Sequence, residues 1–166
     1  KPDWCKQDHI NELLRLGTTR VEIGVQTLKE NVLKIINRGH TLDDTKEAIQ
    51  LLKDSLLKTT FHMMPGLPQT TKEEDIQMFK ELFENQDYKP DSLKIYPCLV
   101  MPGTPLFIQH QRGEFTPLKT EEAAEIISEA KRFVPEYTRI MRINRDIPST
   151  VIHDGVMNTN LRQIID

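Results

Sequence analysis

Four short runs in this 166-residue chain alternate apolar and polar side chains: Arg20 to Gln26 (RVEIGVQ), Leu57 to Met64 (LKTTFHMM), Ser92 to Pro97 (SLKIYP) and Thr138 to Ile143 (TRIMRI). A period of two sends successive side chains to opposite faces of a strand. Val21, Ile23 and Val25 therefore oppose Arg20, Glu22, Gly24 and Gln26. Likewise Thr59, Phe61 and Met63 oppose Lys58, Thr60, His62 and Met64, and Leu93 and Ile95 oppose Lys94 and Tyr96. Parallel strands covered on both faces read as near-continuous apolar runs. These do not, and their polar sets fall late in each strand. The pattern predicts a sheet with one face packed under helices and the other lining a polar cavity, with the site at the C-terminal strand ends.

The segments between the strands carry the helical period. Thr41 with Asp44, and Thr71 with Glu74, form capping-box spacings. The first opens a helix with Thr45, Ala48, Ile49 and Leu52 on one face; the second opens one whose buried stripe is expected at Ile76, Phe79, Leu82 and Phe83. Thr120 is expected to cap a third helix, with Ala123, Ile127, Ala130 and Val134 in register. Shorter helices are expected around Ile10, Leu13 and Leu14, ending at Gly17, and over Asn31 to Ile36, ending at Gly39. Strands and helices alternating at roughly 35 to 45 residues imply parallel strands and right-handed crossovers, an α/β architecture. Four such units are too few for a closed barrel of about 250 residues, which leaves a small open sheet or part of a barrel.

Composition narrows the function classes. A net charge of -3 argues against a purely electrostatic nucleic-acid binder. No apolar run approaches the roughly 18 residues of a membrane span and the start has no signal-peptide core, so a cytoplasmic location is expected. Cys5 and Cys98 lie far apart and signal neither a disulfide framework nor a metal site. The chain opens on Lys1 and reads as one domain's worth of a longer protein.

Each polar strand residue has a structural reading beside a functional one. His62 is either a hydrogen-bonded core residue or a ligand contact, and Glu22 is either a site group or the ion-pair partner of Arg20 or Lys94. Lys94 contacts an anion or pairs with Glu22. Tyr96 and Cys98 read as core, and Gly24 as relief of crowding. Gly-containing loops follow the first helix (INRGH), the second strand (PGLP) and the third strand (MPGTP). In PGLP, Pro65 and Pro68 fix φ while Gly66 permits close approach, a loop already set for a flat ligand.

EIGVQ, NRGH with Arg38 twelve positions after Gln26, HMMPGLP, LKIYP, RIMRINRDIP and NLRQ together resemble the radical-SAM domain of the Elongator catalytic-subunit family, the tRNA wobble-uridine acetyltransferases. The likeness runs over essentially the whole chain. GVQ and GLP are shared by many radical-SAM barrels, whereas HMMPGLP with RDIP and NLRQ is far more specific. The resemblance implies a partial (β/α) barrel of the radical-SAM type, parallel strands with outer helices, of which residues 1–166 are the C-terminal part. It implies S-adenosylmethionine bound at Gln26, Arg38, His62, Gly66, Leu67, Lys94 and Tyr96, with Arg38 on the methionyl carboxylate, His62 toward the ribose, and Gly66 and Leu67 beside the adenine. It implies tRNA as partner, met by Lys94, Arg139, Arg142, Arg145 and Arg162, although Glu136, Asp146, Asp154 and Asp166 balance those arginines. The parent would carry a four-iron four-sulfur cluster and take its acetyl group from acetyl-CoA on another domain, to modify C5 of uridine. The cluster-binding cysteine triad and the acetyltransferase domain are not in these residues, Cys5 matches no cluster ligand, and the segment alone is expected to be inactive. It would work in a homo-oligomer or an Elongator-like assembly, with no membrane. Two other readings stay open: part of another radical-SAM oxidoreductase of the coproporphyrinogen dehydrogenase type, and a non-catalytic interaction module.

Overall fold

A computed structural model describes residues 1–145, 147–157 and 160–165. Its four strands are β1 (Arg20–Gln26), β2 (Lys58–Met63), β3 (Ser92–Ile95) and β4 (Arg139–Ile143), in sheet order β1-β2-β3-β4 and all parallel. The helices are α1 (Gln7–Arg15), α2 (Glu30–Ile35), α3 (Leu42–Asp54), α4 (Lys72–Glu84), α5 (Pro105–Gln111), α6 (Thr120–Lys131) and α7 (Leu161–Ile165). The expected α/β class and parallel topology are found. Strands end sooner than the apolar runs do: Leu57, Met64, Tyr96, Pro97 and Thr138 lie outside them. Pro97 has no amide to donate, and Leu57 follows Leu56 at φ 58, a left-handed residue that turns the chain out of α3.

The core lies on one side of the sheet. Ile23, Val25, Phe61, Met63, Leu93 and Ile95 form one cluster with Ile10 of α1, Ile49 and Leu52 of α3, Phe79 and Leu82 of α4, and Ala123 and Ile127 of α6. Both capping boxes form: the Thr41 hydroxyl accepts from the Asp44 amide and the Thr71 hydroxyl from the Glu74 amide, while each threonine amide donates to the carboxylate of the acid. These bonds satisfy two of the amides that every helix start leaves unpaired.

Four helix expectations need correction. The buried face of α4 is Asp75, Met78, Phe79, Leu82 and Phe83, and Ile76 is only half-buried. Phe79, Leu82 and Phe83 are buried as expected, and the difference lies in the first turns, where the bond from the Gly66 amide in the loop after β2 draws Asp75 inward. In α6 the N-cap is Lys119, whose amide donates to Glu122, and Thr120 is the first helical residue. The same helix ends at Lys131, so Val134 packs on the core from beyond it. Finally, α5 was not anticipated, although Thr104 accepting from the Phe107 amide with Pro105 next is a legible start signal.

The α4 register is tested by two truncations. Phe79→Ala is expected to cost about 3–5 kcal/mol in urea unfolding, and Ile76→Ala under about 2 kcal/mol. Equal losses would return Ile76 to the core.

Candidate functional site

With helices packed on one face, the other face of the sheet leaves charged side chains to satisfy one another. Glu22 of β1, His62 of β2 and Lys94 of β3 do so across three adjacent strands. His62 and Lys94 are direct register partners, and Glu22 pairs with Thr60 two residues earlier on β2. The Lys94 ammonium donates to both Glu22 oxygens, at 2.7 and 2.6 Å, while His62 Nε2 lies 2.7 Å from Glu22 Oε2. The hydrogen bond from Lys94, opposed by partial burial and aided by His62, holds the Glu22 carboxyl below its ordinary range. Of the two partners the sequence allowed for Glu22, Lys94 is the one found; Arg20 Nη1 is directed instead to Met141 Sδ at 3.9 Å.

Tyr96, just past β3, stands edge-on to the His62 ring at 5.5 Å, and the Arg145 guanidinium lies 4.9 Å over the Tyr96 ring. A cation over an aromatic face is attracted by the ring quadrupole. Arg145 itself is exposed, so its outer side faces solvent at the rim of the hollow.

A cleft of about 360 Å³ adjoins the hollow, lined among others by Gln26, Arg38, Met64, Leu67, Cys98 and Leu106. Its floor depends on two departures from regular structure. The register of β1 against β2 shifts between Ile23 and Gln26, and Gln26 sits at φ 72, left-handed backbone that a non-glycine residue seldom adopts. Gly24 supplies room: a Cβ there would lie 2.4 Å from Arg38 Nη2 and 2.7 Å from Gln26 Nε2. Arg38 therefore folds over the strand and donates from Nη2 to the Gly24 carbonyl at 3.3 Å, while its Nε is buried with no partner among the described residues. Burial pulls the Arg38 guanidinium below its ordinary value, Asp3 opposes this, and Arg145 adds to it. Arg145 thus acts on both the hollow and the cleft.

The loop Pro65 to Pro68 forms the opposite rim and is buried throughout. Gly66 has φ 76 and touches Leu118 so closely that a Cβ would fall 2.6 Å from that side chain. Its amide donates to Asp75 Oδ2 at 2.7 Å. Desolvation raises the Asp75 carboxyl to about 6, against the bond from Gly66 and the charge of Lys29, which lower it. Sequence reading missed Asp75, which follows Glu73 and Glu74 in the first turn of α4 and carries no signal of its own. Cys98 is buried and its thiol is pushed up to about 12 by desolvation, which makes it a neutral wall residue.

The structure brings Glu22, His62, Lys94, Tyr96 and Arg145 together, and joins Gln26, Arg38 and Leu67 in the neighbouring cleft, with Gly66 in its rim loop. Of the other arginines, Arg142 neighbours this group, whereas Arg139 and Arg162 do not. Arg142 is the register partner of Lys94, Arg139 begins β4 at the opposite end of the sheet, and Arg162 lies on α7, which packs on α6. Of the acids weighed against them, Asp154 pairs with Lys119, while Asp146 and Asp166 lie outside the described residues. Among the described residues no helix is long and apolar enough to cross a membrane.

A parallel partial barrel with a polar face and a cleft at the strand ends agrees with the sequence families that match. The Radical SAM superfamily pattern covers residues 1–82 and the Radical_SAM C-terminal domain pattern residues 90–166. The chain belongs to the radical-SAM superfamily. Within it, the chain is 54% identical over 165 residues to the tRNA uridine(34) acetyltransferase of Methanocaldococcus jannaschii, covering 99% of this chain and 30% of that protein. It is 43% identical over 164 residues to Elongator complex protein 3 of Saccharomyces cerevisiae, covering 99% of this chain and 29% of that one. The solved structure of Methanocaldococcus infernus Elp3 lacking residues 1–46 superimposes with a TM-score of 0.96 at 52% identity, over 99% of this chain and 38% of that one. Escherichia coli coproporphyrinogen III oxidase matches at a TM-score of 0.63 and 19% identity over 82% of this chain and 31% of that one, a likeness of fold alone. The chain thus spans about 30% of the length of the curated relatives it matches.

Asp75 makes stability depend on pH. Its folded value lies above the ordinary carboxylate value, so its favourable contribution is complete below about pH 4 and is lost as pH rises through about 6. Asp75→Asn keeps an acceptor for the Gly66 amide and removes the charge. Relative to wild type, its stability in urea titrations is expected to improve steadily from pH 4 to 7 and then level; a pH-independent difference would show that Asp75 does not titrate there.

Proposed function

We propose that this chain supplies the S-adenosylmethionine- and tRNA-binding part of a radical-SAM enzyme that modifies C5 of the wobble uridine, with acetyl-CoA, held on another domain, as the acyl source. The observation that carries the cofactor half is Arg38: a half-buried guanidinium whose Nε has no partner among the described residues, folded over a glycine beside Gln26, in a cleft that mixes apolar walls (Met64, Leu67, Leu106) with the polar Asn37, Thr104 and Gln109. A buried unpaired donor costs about 1–3 kcal/mol, so it persists where something else completes it. A carboxylate fits that donor, and guanidinium–carboxylate bonds are among the stronger protein hydrogen bonds.

The residues fit the cofactor in kind. Arg38 and Gln26 would hold the methionyl end, the Gly66–Leu67 backbone would lie along the adenine, and His62 would face the ribose, with Lys94 and Tyr96 closing the far side. Bound there beside a reduced iron–sulfur cluster, S-adenosylmethionine supplies one-electron chemistry strong enough to break an unactivated C–H bond. The chain's own residues orient both partners. The rigid Pro65–Pro68 rim loses little entropy on binding, and Arg145, shared by hollow and cleft, would place a nucleobase next to the cofactor. The names of the relatives support uridine 34 of tRNA as the substrate and an Elongator-type assembly as one setting.

Two measurements on the full-length, cluster-loaded protein test this reading. Arg38→Ala is expected to weaken S-adenosylmethionine binding at least tenfold by calorimetry, and Gly24→Ala, which displaces the same guanidinium, to weaken it comparably. Unchanged affinity in both would remove the cofactor from this cleft. For tRNA, Arg145→Ala should weaken binding and lower the slope of log K against log salt by about 1. The same slope at the same affinity would take Arg145 out of the RNA interface.

A further inference from the structure

Glu22 is tied into the hollow more firmly than ion pairing requires. One carboxylate receives both bonds from Lys94 and a third from His62 Nε2. Lys94 already supplies the cation that Glu22 needs. An ionised carboxylate only accepts hydrogen bonds, so the imidazole nitrogen that meets it must carry the proton. In a neutral ring the proton on Nε2 leaves Nδ1 as a bare acceptor. Among the described residues Nδ1 has no hydrogen-bond partner, and it is not among the buried unpartnered atoms, so it is open to the hollow. The edge contact with Tyr96 and the clamp at Nε2 together limit the ring's freedom to flip.

From this geometry we infer that Glu22 is a positioning residue: it locks neutral His62 in the Nε2–H tautomer, so that Nδ1 is presented as an acceptor for a nucleoside hydroxyl, the ribose of the cofactor. The inference deepens the proposed cofactor site and rests on it for the identity of the ligand. It gives a neutral histidine the hydrogen-bonding behaviour of a carboxylate on that side, while Lys94 stays held by both oxygens of the same Glu22 carboxylate. An exposed pair of this kind stabilises a fold by about 0–1 kcal/mol at most, so orientation rather than stability is what the clamp contributes.

The test separates the clamp from the ligand. In full-length protein labelled with 13C,15N-histidine, the His62 ring, assigned by the signal lost in His62→Gln, is expected at alkaline pH to be in the Nε2–H tautomer alone. Glu22→Gln, which keeps an oxygen acceptor, should preserve that state, whereas Glu22→Met/Lys94→Met, which removes both charges together, should leave the two tautomers mixed. An Nδ1–H or mixed ring in the wild type would overturn the inference even if the double variant failed to fold. The ligand half is read from binding of S-adenosylhomocysteine and its 2′-deoxy and 3′-deoxy analogues. One deoxy analogue should bind wild type about tenfold more weakly, a difference that falls below about threefold in His62→Ala and in the double variant. Discrimination that survives in both would refute the ribose contact. If Arg38→Ala leaves S-adenosylhomocysteine binding intact, the cofactor cleft fails, while the tautomer measurement still decides the role of Glu22.

Discussion

Everything on the concave face depends on three ionisable side chains meeting across three parallel strands. A sheet that buries one face under helices must still satisfy whatever its other face carries, and here that face carries an acid, a base and an imidazole within one short band. Register decides the outcome. His62 and Lys94 stand directly opposite each other, and Glu22 reaches across β2 to hold both. A shift of one residue in any strand would send one member to the helical side, where an unpaired charge is prohibitive. The hollow is therefore as specified as the core, by charge instead of volume.

The neighbouring cleft is specified by omission. Gly24 has no side chain, Gln26 takes an unusual backbone angle, and the two together let Arg38 lie over the strand. On the far rim, Gly66 again has none, so Leu118 seats against the loop while Asp75 holds its amide from below. Both walls are held by contacts within the chain itself. Arg145 connects the two spaces, through its stack on Tyr96 and its electrostatic effect on Arg38.

Much of this was legible in the residues. The two-residue alternation separated the helical face from the hollow, and Glu22, His62 and Lys94 fell on the correct side because β geometry leaves no third direction. The Thr41 and Thr71 capping boxes were local enough to read outright. The α4 stripe was less secure: a helical wheel has several apolar settings, and contact with the Gly66 loop selected the one that buries Asp75 and Met78 while leaving Ile76 half out. Helix α5, one wall of the cleft, is short and has no fully buried residue, so it carried no periodic signal to find.

Sequence alone determined the α/β class, the parallel order implied by its spacing, and which residues share the polar face, since these follow from backbone periodicity and chain connectivity. Tertiary structure alone decided that Glu22 takes Lys94 and His62 rather than Arg20, that Arg38 folds over Gly24 with an unpaired nitrogen, and that Arg139 and Arg162 stand apart from Arg145. The physical reason is range. Alternation and capping act between neighbours a few residues apart, whereas Glu22 and Lys94 are 72 residues apart and meet only once the intervening strand is in register.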